Sequence, residues 1–148
     1  MTLKGIIQTS HIPINKYEFS VETLPALIFT TVSGIEQETG GTVLPDKTKV
    51  TGGEQEPFEL TCEIPLHHAA EIAALEAWFA EGKDPVTATY KKTGTMLYYN
   101  INGVVAKSLS LAGVWVSKLK YPDADMGNEE GELALLEVTL SVDDYAVI

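Results

Sequence analysis

The residues able to do chemistry are few and poorly placed for it. Histidine occurs three times, at His11, His67 and His68. An adjacent pair cannot present both imidazoles on one helix face, and no His-Glu-x-x-His accompanies it, so the spacing does not suit zinc. His67 and His68 read instead as residues at a helix start. The single cysteine, Cys62, excludes an intrachain disulfide and a thiolate metal cluster. It lies in Phe58-Glu59-Leu60-Thr61-Cys62-Glu63-Ile64, on the apolar side of an alternating run, and reads as a buried small hydrophobe. Asp123-Ala124-Asp125-Met126-Gly127-Asn128 has the opening of a calcium loop, but its glycine is misplaced and the twelfth position is Ala134 instead of glutamate. Gly82-Lys83 is followed by Asp84 and lacks the upstream glycine of a phosphate loop. No Gly-x-Gly-x-x-Gly and no Gly-x-Ser-x-Gly occurs. Carboxylates number 21 in 148 residues, so close pairs arise by chance and none stands out as an acid and base. The sequence therefore reads as that of a protein that is not an enzyme, with no cofactor and no metal.

Charge is more informative. Ten basic residues face 21 acidic ones, giving a net charge of −11, and every basic residue is lysine. Nucleic-acid readers use arginine for bidentate contacts to phosphate and guanine, so a chain lacking it, with this acidic excess, is unsuited to grip DNA. The acids cluster in residues 54–81 and 123–144, neither of which holds a lysine. Two readings stay open: a solvated, solubilising surface, or one that must repel a polyanion.

The elements that would position any site are mostly strands. At 148 residues the chain suits one domain, 1–148, with a core that needs no staples. No apolar run approaches the ~20 residues of a membrane span. The N-terminus, with Lys4 and a short apolar stretch, does not read as a signal peptide, and synthesis in a cytoplasm is expected. Period-two alternation marks strands at 17–21, 26–33 (continuing over 35–39), 58–64 and 86–90. Asn102-Gly103 predicts a type I′ hairpin between 96–101 and 104–109. Strands at 114–119 and 133–142 complete the set, so the expected fold is mainly β: an antiparallel barrel or sandwich with one flanking α-helix. The helix is expected over 67–81, with Gly82 at its C′ position and Pro85 preventing continuation. Ile72, Leu75 and Phe79 form its apolar stripe, with Trp78 at the edge. Ala69, Ala70, Ala73, Ala77 and Ala80 lie opposite, either as good helix formers or as a smooth face for another subunit. Residues 40–57 predict a long loop, unusual in a compact domain and commonly functional. A second loop, 121–131, carries acids. Strand alternation also sets Glu59, Thr61 and Glu63 on one face, opposite Phe58, Leu60, Cys62 and Ile64.

The order of segments resembles the bacteriophage tail tube family, related to the tubes of contractile injection systems. Tyr17-Glu18-Phe19-Ser20-Val21 leads to Val32-Ser33-Gly34-Ile35-Glu36, then to Leu44-Pro45-Asp46-Lys47-Thr48-Lys49. A strand and a helix ending near Trp78 follow. Val114-Trp115-Val116-Ser117-Lys118-Leu119 then precedes Pro122-Asp123-Ala124-Asp125 and Leu135-Leu136-Glu137-Val138-Thr139-Leu140. The likeness runs from Tyr17 to Tyr145, leaving 1–16 as an N-terminal arm. It implies a structural subunit that forms stacked hexameric rings in a virion tail, assembled in a host cytoplasm, through which DNA passes without specific binding. It implies partners in further copies of itself, and in tail sheath, baseplate and tape-measure proteins, with no membrane. Under it, residues 40–57 are an inter-subunit loop centred on Leu44, Pro45, Asp46, Lys47, Thr48 and Lys49. Glu59, Thr61 and Glu63 become candidates to face the lumen, which is expected to be lined by acids and not by lysines. Two other readings stand beside it. One is a ring or tube of another injection machine: a type VI tube of the haemolysin-coregulated kind, a tail terminator or a baseplate ring. The other is a small β-barrel ligand-binding module.

Overall fold

The computed structural model describes residues 11–25, 27–84, 86, 88–124, 126–127 and 131–148. The first ten residues of the N-terminal arm, Ala26, Pro85, Thr87, and Asp125 with 128–130 of the acidic loop, lie outside the described residues.

Alternation of apolar and polar side chains builds most of the structure. In β5 (Phe58–Pro65), Phe58, Leu60, Cys62 and Ile64 are buried, Glu59 and Thr61 are exposed, and Glu63 is half-buried. In β8 (Leu135–Val142), Leu136, Val138, Leu140 and Val142 are fully buried. These two strands pair antiparallel along their whole length, from Phe58 opposite Val142 to Pro65 opposite Leu135. β1 (Tyr17–Val21) pairs with β6 (Lys92–Tyr99), and β6 pairs with β7 (Val105–Lys120). With β2 (Thr31–Ser33) the hydrogen-bonded path runs β1-β6-β7-β8-β5-β2, and β9 (Asp144–Val147) pairs with the first half of β7. The two ends of this path are connected by residues 27–33. Leu27 bridges to Phe19 on β1, the Tyr17 hydroxyl donates to the Phe29 carbonyl at 2.6 Å, and β2 pairs with β5. The buried side chains form one cluster, to which α1 (Ala69–Gly82) adds Leu75 and Trp78. The result is the mainly antiparallel β structure with one α-helix that the alternation implies.

Several expectations are corrected. The strand expected over 26–33 is three residues long, because this segment must cross from β1 to β5 and cannot follow either ladder throughout; Leu27 and Phe29 are buried in the crossing. Residues 35–38 form no strand, and β3 starts at Thr39. The strand expected over 86–90 is instead a turn and a 3-10 helix, Ala88–Tyr90. Its carbonyl at Tyr90 accepts the Trp78 indole N–H at 2.6 Å, so this backbone serves the helix and not a sheet. Trp78 is thus central to the packed side of α1. Leu75 and Trp78 are buried, whereas Ile72 and Phe79 are half-buried against the core. The five alanines are exposed. Gly82 is the last helical residue and Lys83 the C-cap, one position beyond the sequence reading.

The hairpin at Asn102-Gly103 exists, but not as a two-residue type I′ loop. Asn100 and Val104 are joined by backbone hydrogen bonding, and the Gly103 N–H returns to the Asn100 carbonyl at 3.0 Å. Three residues turn the chain, with Gly103 alone at positive φ (+78°), the pattern of a type I turn closed by a left-handed residue. The Asn100 side chain accepts from the N–H groups of Asn102 and Val104, which favours this longer loop.

The segments 104–109 and 114–119 are one strand, β7, bent where it passes from β9 to β8. Gly113 sits at the bend with φ +66°, and a Cβ there would lie 2.1 Å from an Asp143 carboxylate oxygen. That same oxygen accepts from the Lys91 ammonium at 3.0 Å. Gly113→Ala must therefore both hold a left-handed alanine, at about 1–2 kcal/mol, and displace Asp143. A thermal melt should show a lowered midpoint for Gly113→Ala, while Gly103→Ala, with no atom within 4 Å of the added carbon, should lose only the conformational part.

Cys62 is fully buried, and burial pushes its thiol up to about 12. An unfolded thiol ionises near pH ~8.5. The folded state holds the proton more tightly, so this group's contribution to stability is complete below that pH and is lost as pH rises toward 12. Cys62 should accordingly resist an aromatic disulfide reagent at pH 8 in the native protein and react at once in denaturant. Rapid native labelling would contradict this burial.

Candidate assembly surfaces

The span 40–57, expected as a loop, is an antiparallel hairpin of β3 (Thr39–Val43) and β4 (Lys49–Gln55), which pair only with each other. Its alternation is illegible because almost every residue is exposed, so neither face selects apolar side chains. The base is closed by the Glu56 N–H donating to the Glu38 carbonyl at 2.8 Å. The ladder is interrupted between Thr39 and Gly41. Leu44, Pro45, Asp46, Lys47, Thr48 and Lys49 stand together at the tip. There the Leu44 N–H donates to Thr48 O at 2.7 Å and the Lys47 N–H to Leu44 O at 2.8 Å. Lys47 takes the left-handed conformation, φ +69°. Asp46 accepts from the Thr48 hydroxyl (2.6 Å) and N–H (3.1 Å), which hold its carboxyl below the usual range. The tip is thus a formed turn carrying two lysines. Val43, Leu44 and Val50 are exposed beside it.

Glu59, Thr61 and Glu63 do share one face of β5, with the apolar set opposite. Cross-strand register extends that face. Thr31, Glu63, Glu137 and Lys120 form one row across β2, β5, β8 and β7; Ser33, Thr61, Thr139 and Lys118 form the next. Ser33 and Ser117 hydroxyls donate to the carbonyls of Thr61 and Thr139. The face is therefore hydroxyl-rich and of mixed charge, not acidic alone. The bulge in β7 between Val116 and Lys118 is what brings both lysines to it. The reading of β5 by itself gives Glu59 and Glu63 but cannot see lysines that arrive from β7.

A third surface was not visible in the sequence. Where β1 faces residues 27–32, a cavity of about 780 Å³ opens, lined mainly by apolar side chains that include Tyr17, Phe19, Leu27, Ile28 and Val32. A smaller one, about 310 Å³, adjoins it through Ile14, Tyr17 and Val32. The larger cavity lies between two nearby segments, 14–19 and 27–32, whose placement against each other no alternation pattern announces. Among the described residues, Glu18 is the one charged residue lining either cavity, and its carboxylate accepts from the Tyr99 hydroxyl at 2.6 Å.

Among the described residues, no group of three or more His, Cys, Asp or Glu could hold a metal ion. His67 and His68 pack ring edge to ring face at 4.5 Å just before α1. Among the described residues, no helix is long and apolar enough to cross a membrane.

The sequence matches no family model and no curated protein. Its fold does have solved counterparts. One is a chain of the sheath–tube complex of an extracellular contractile injection system, PVC, in the extended state: TM-score 0.73, 18% identity, 100% of this chain and 98% of that one covered. A chain of the anti-feeding prophage tube-terminating cap matches equally, at TM-score 0.73 and 18% identity over 100% and 99%. The chain has a tail-tube-like fold. Hcp1 from Flavobacterium johnsoniae shares it more distantly, at TM-score 0.54 and 15% identity over 89% of this chain and 94% of that one. Between this tail-tube-like chain and those counterparts, identity is low enough that the likeness speaks for the fold alone.

Proposed function

We propose that the protein is a structural, ring-forming subunit of the tube or tube cap of a contractile injection apparatus. The observation that carries this reading is the end-to-end likeness to chains of the PVC sheath–tube complex and the anti-feeding prophage cap. It supports the injection-machine reading better than a phage conduit for DNA. The chemistry of the β5 face agrees: Lys118 and Lys120 stand in the same rows as Thr61 and Glu63, so that face offers fixed cations to a passing polyanion. Six copies of a −11 chain carry about −66 in all, yet Glu59, Glu63, Glu137, Lys118 and Lys120 sum to only −1 on this face. In this reading the β3–β4 hairpin, with Leu44 to Lys49 at its tip, meets a neighbouring subunit. The β5 face with Glu59, Thr61 and Glu63 lines the lumen. Sheath and baseplate proteins are the partners, as in the complexes from which the counterparts come.

Native mass spectrometry of the purified protein tests this directly. A hexamer or a ladder of hexamers is expected; a monomer at all concentrations would sink the proposal in favour of a small ligand-binding module. The lumen assignment has its own test. Glu59→Lys with Glu63→Lys alters exposed or half-exposed positions, so the fold should change by no more than about 0.5 kcal/mol, and assembly should persist. Variant tubes should retain short double-stranded DNA at low ionic strength better than the parent, with the gain fading at ~0.15 M salt, where the Debye length is ~8 Å. Equal retention, or a tube structure with both residues on the outer wall, would overturn the assignment.

A further inference from the structure

The apolar cavity beside β1 and the exposed hairpin have complementary properties within one chain. The cavity is open along a seam where β1 and residues 27–32 are joined by one backbone bridge, Phe19 to Leu27, and by the Tyr17 hydroxyl on Phe29 O. Ile28 stands 62% exposed at this seam. An open apolar recess of this size has the dimensions and lining of a binding cleft. The hairpin has the opposite problem. Leu44 and Val50 are exposed, and the register that pairs Thr42 with Val50 places Val50 on the same side as Leu44. An apolar projection that stands outside the buried cluster of its own subunit is a docking element in need of a surface.

Charge selects the same pairing. Lys47 and Lys49 flank the apolar tip against the single acid Asp46, which leaves the tip net positive. Among the described residues, the cavity is lined by Glu18 and by no lysine. Glu63 lies at its margin as the cross-strand partner of Thr31. In a protein with ten lysines and 21 acids, a lysine-bearing apolar tip and an acid-rimmed apolar recess are a matched pair.

We infer that the β3–β4 hairpin of one copy seats its Leu44–Val50 side in the cavity between β1 and residues 27–32 of a second copy. This rests on the ring-subunit reading and names the surface that receives the hairpin. Projection and recess are different patches of the chain, so the contact is head-to-tail and propagates from copy to copy, closing into rings or stacking them. The neighbour's hairpin also brings unpaired strand edges to a seam that is itself sparsely paired.

Cysteine cross-linking tests the contact, because the native Cys62 is buried and protonated and leaves only introduced thiols reactive. Protein carrying Leu44→Cys is mixed with protein carrying Ile28→Cys under mild oxidation at assembly concentration. A covalent dimer is expected from the mixture and not from either variant alone, and the double variant should give a ladder of multimers. Lys47→Glu with Lys49→Glu should abolish the mixed dimer, and Glu18→Lys on the receiving copy should restore it in part. Dimers from Leu44→Cys alone would mean that tips meet tips, and an internally linked monomer of the double variant would mean that the hairpin closes on its own chain. Either result overturns the inference. Tubes that form normally without the mixed cross-link would overturn it while leaving the ring-subunit reading intact. A parent protein that never oligomerises would sink both.

Discussion

Trp78→Ala is expected to lower the unfolding free energy by about 3–5 kcal/mol, the range for deleting a large buried aromatic. Trp78 is 2% exposed and lies in the same buried cluster as the sheet strands. Its indole N–H is also the donor to the Tyr90 carbonyl, which holds the 3-10 helix that stacks Tyr90 edge-on against Trp115. Truncation therefore removes packing and releases a second element. Trp78→Phe separates the two: it keeps most of the ring and leaves the Tyr90 carbonyl unpaired, so a smaller loss of about 1–3 kcal/mol is expected. Phe79, half-buried with the Lys83 ammonium 4.7 Å from its ring centre, should lose less than Trp78 on truncation. Urea titrations of the three variants check the order. A melt unaffected by Trp78→Ala would mean that α1 is not part of the core.

Deleting residues 42–52 should have the largest effect on assembly and almost none on the fold. The hairpin pairs only with itself, and neither strand contributes to the buried cluster. Circular dichroism and melting of the deletion should match the parent within a few degrees, while large assemblies disappear. Normal rings or tubes from the deletion would show that the hairpin is not an assembly element. A deletion that fails to fold would show that it supports the main sheet after all.

The fold was legible wherever one face of an element is buried. The β5 run from Phe58 to Ile64 alternates because each second side chain enters the core, and β8 repeats the pattern at Leu136, Val138, Leu140 and Val142. Asn102-Gly103 marked a real turn, and only its type needed the Asn100 side chain to decide. Where burial selects nothing, the signal vanished. The β3–β4 hairpin, with Gly40, Gly41, Gly52 and Gly53 and both faces in solvent, reads as a loop. The alternation at 86–90 misled because a tertiary hydrogen bond from Trp78 claims that backbone. Of the surfaces, Leu44 to Lys49 stood out by length and charge, and Glu59, Thr61 and Glu63 by alternation. Lys118 and Lys120 reach the same face through strand register between distant segments, and the recess beside β1 through the way 27–32 crosses past β1, neither of which one sequence displays.

Negative-stain electron microscopy of the purified protein at high concentration bears most directly on the ring-subunit proposal. Uniform rings with a central hole, alone or stacked into tubes, are the expected result. Monodisperse particles the size of one 16.0 kDa chain, with no rings at any concentration or ionic strength, would contradict it.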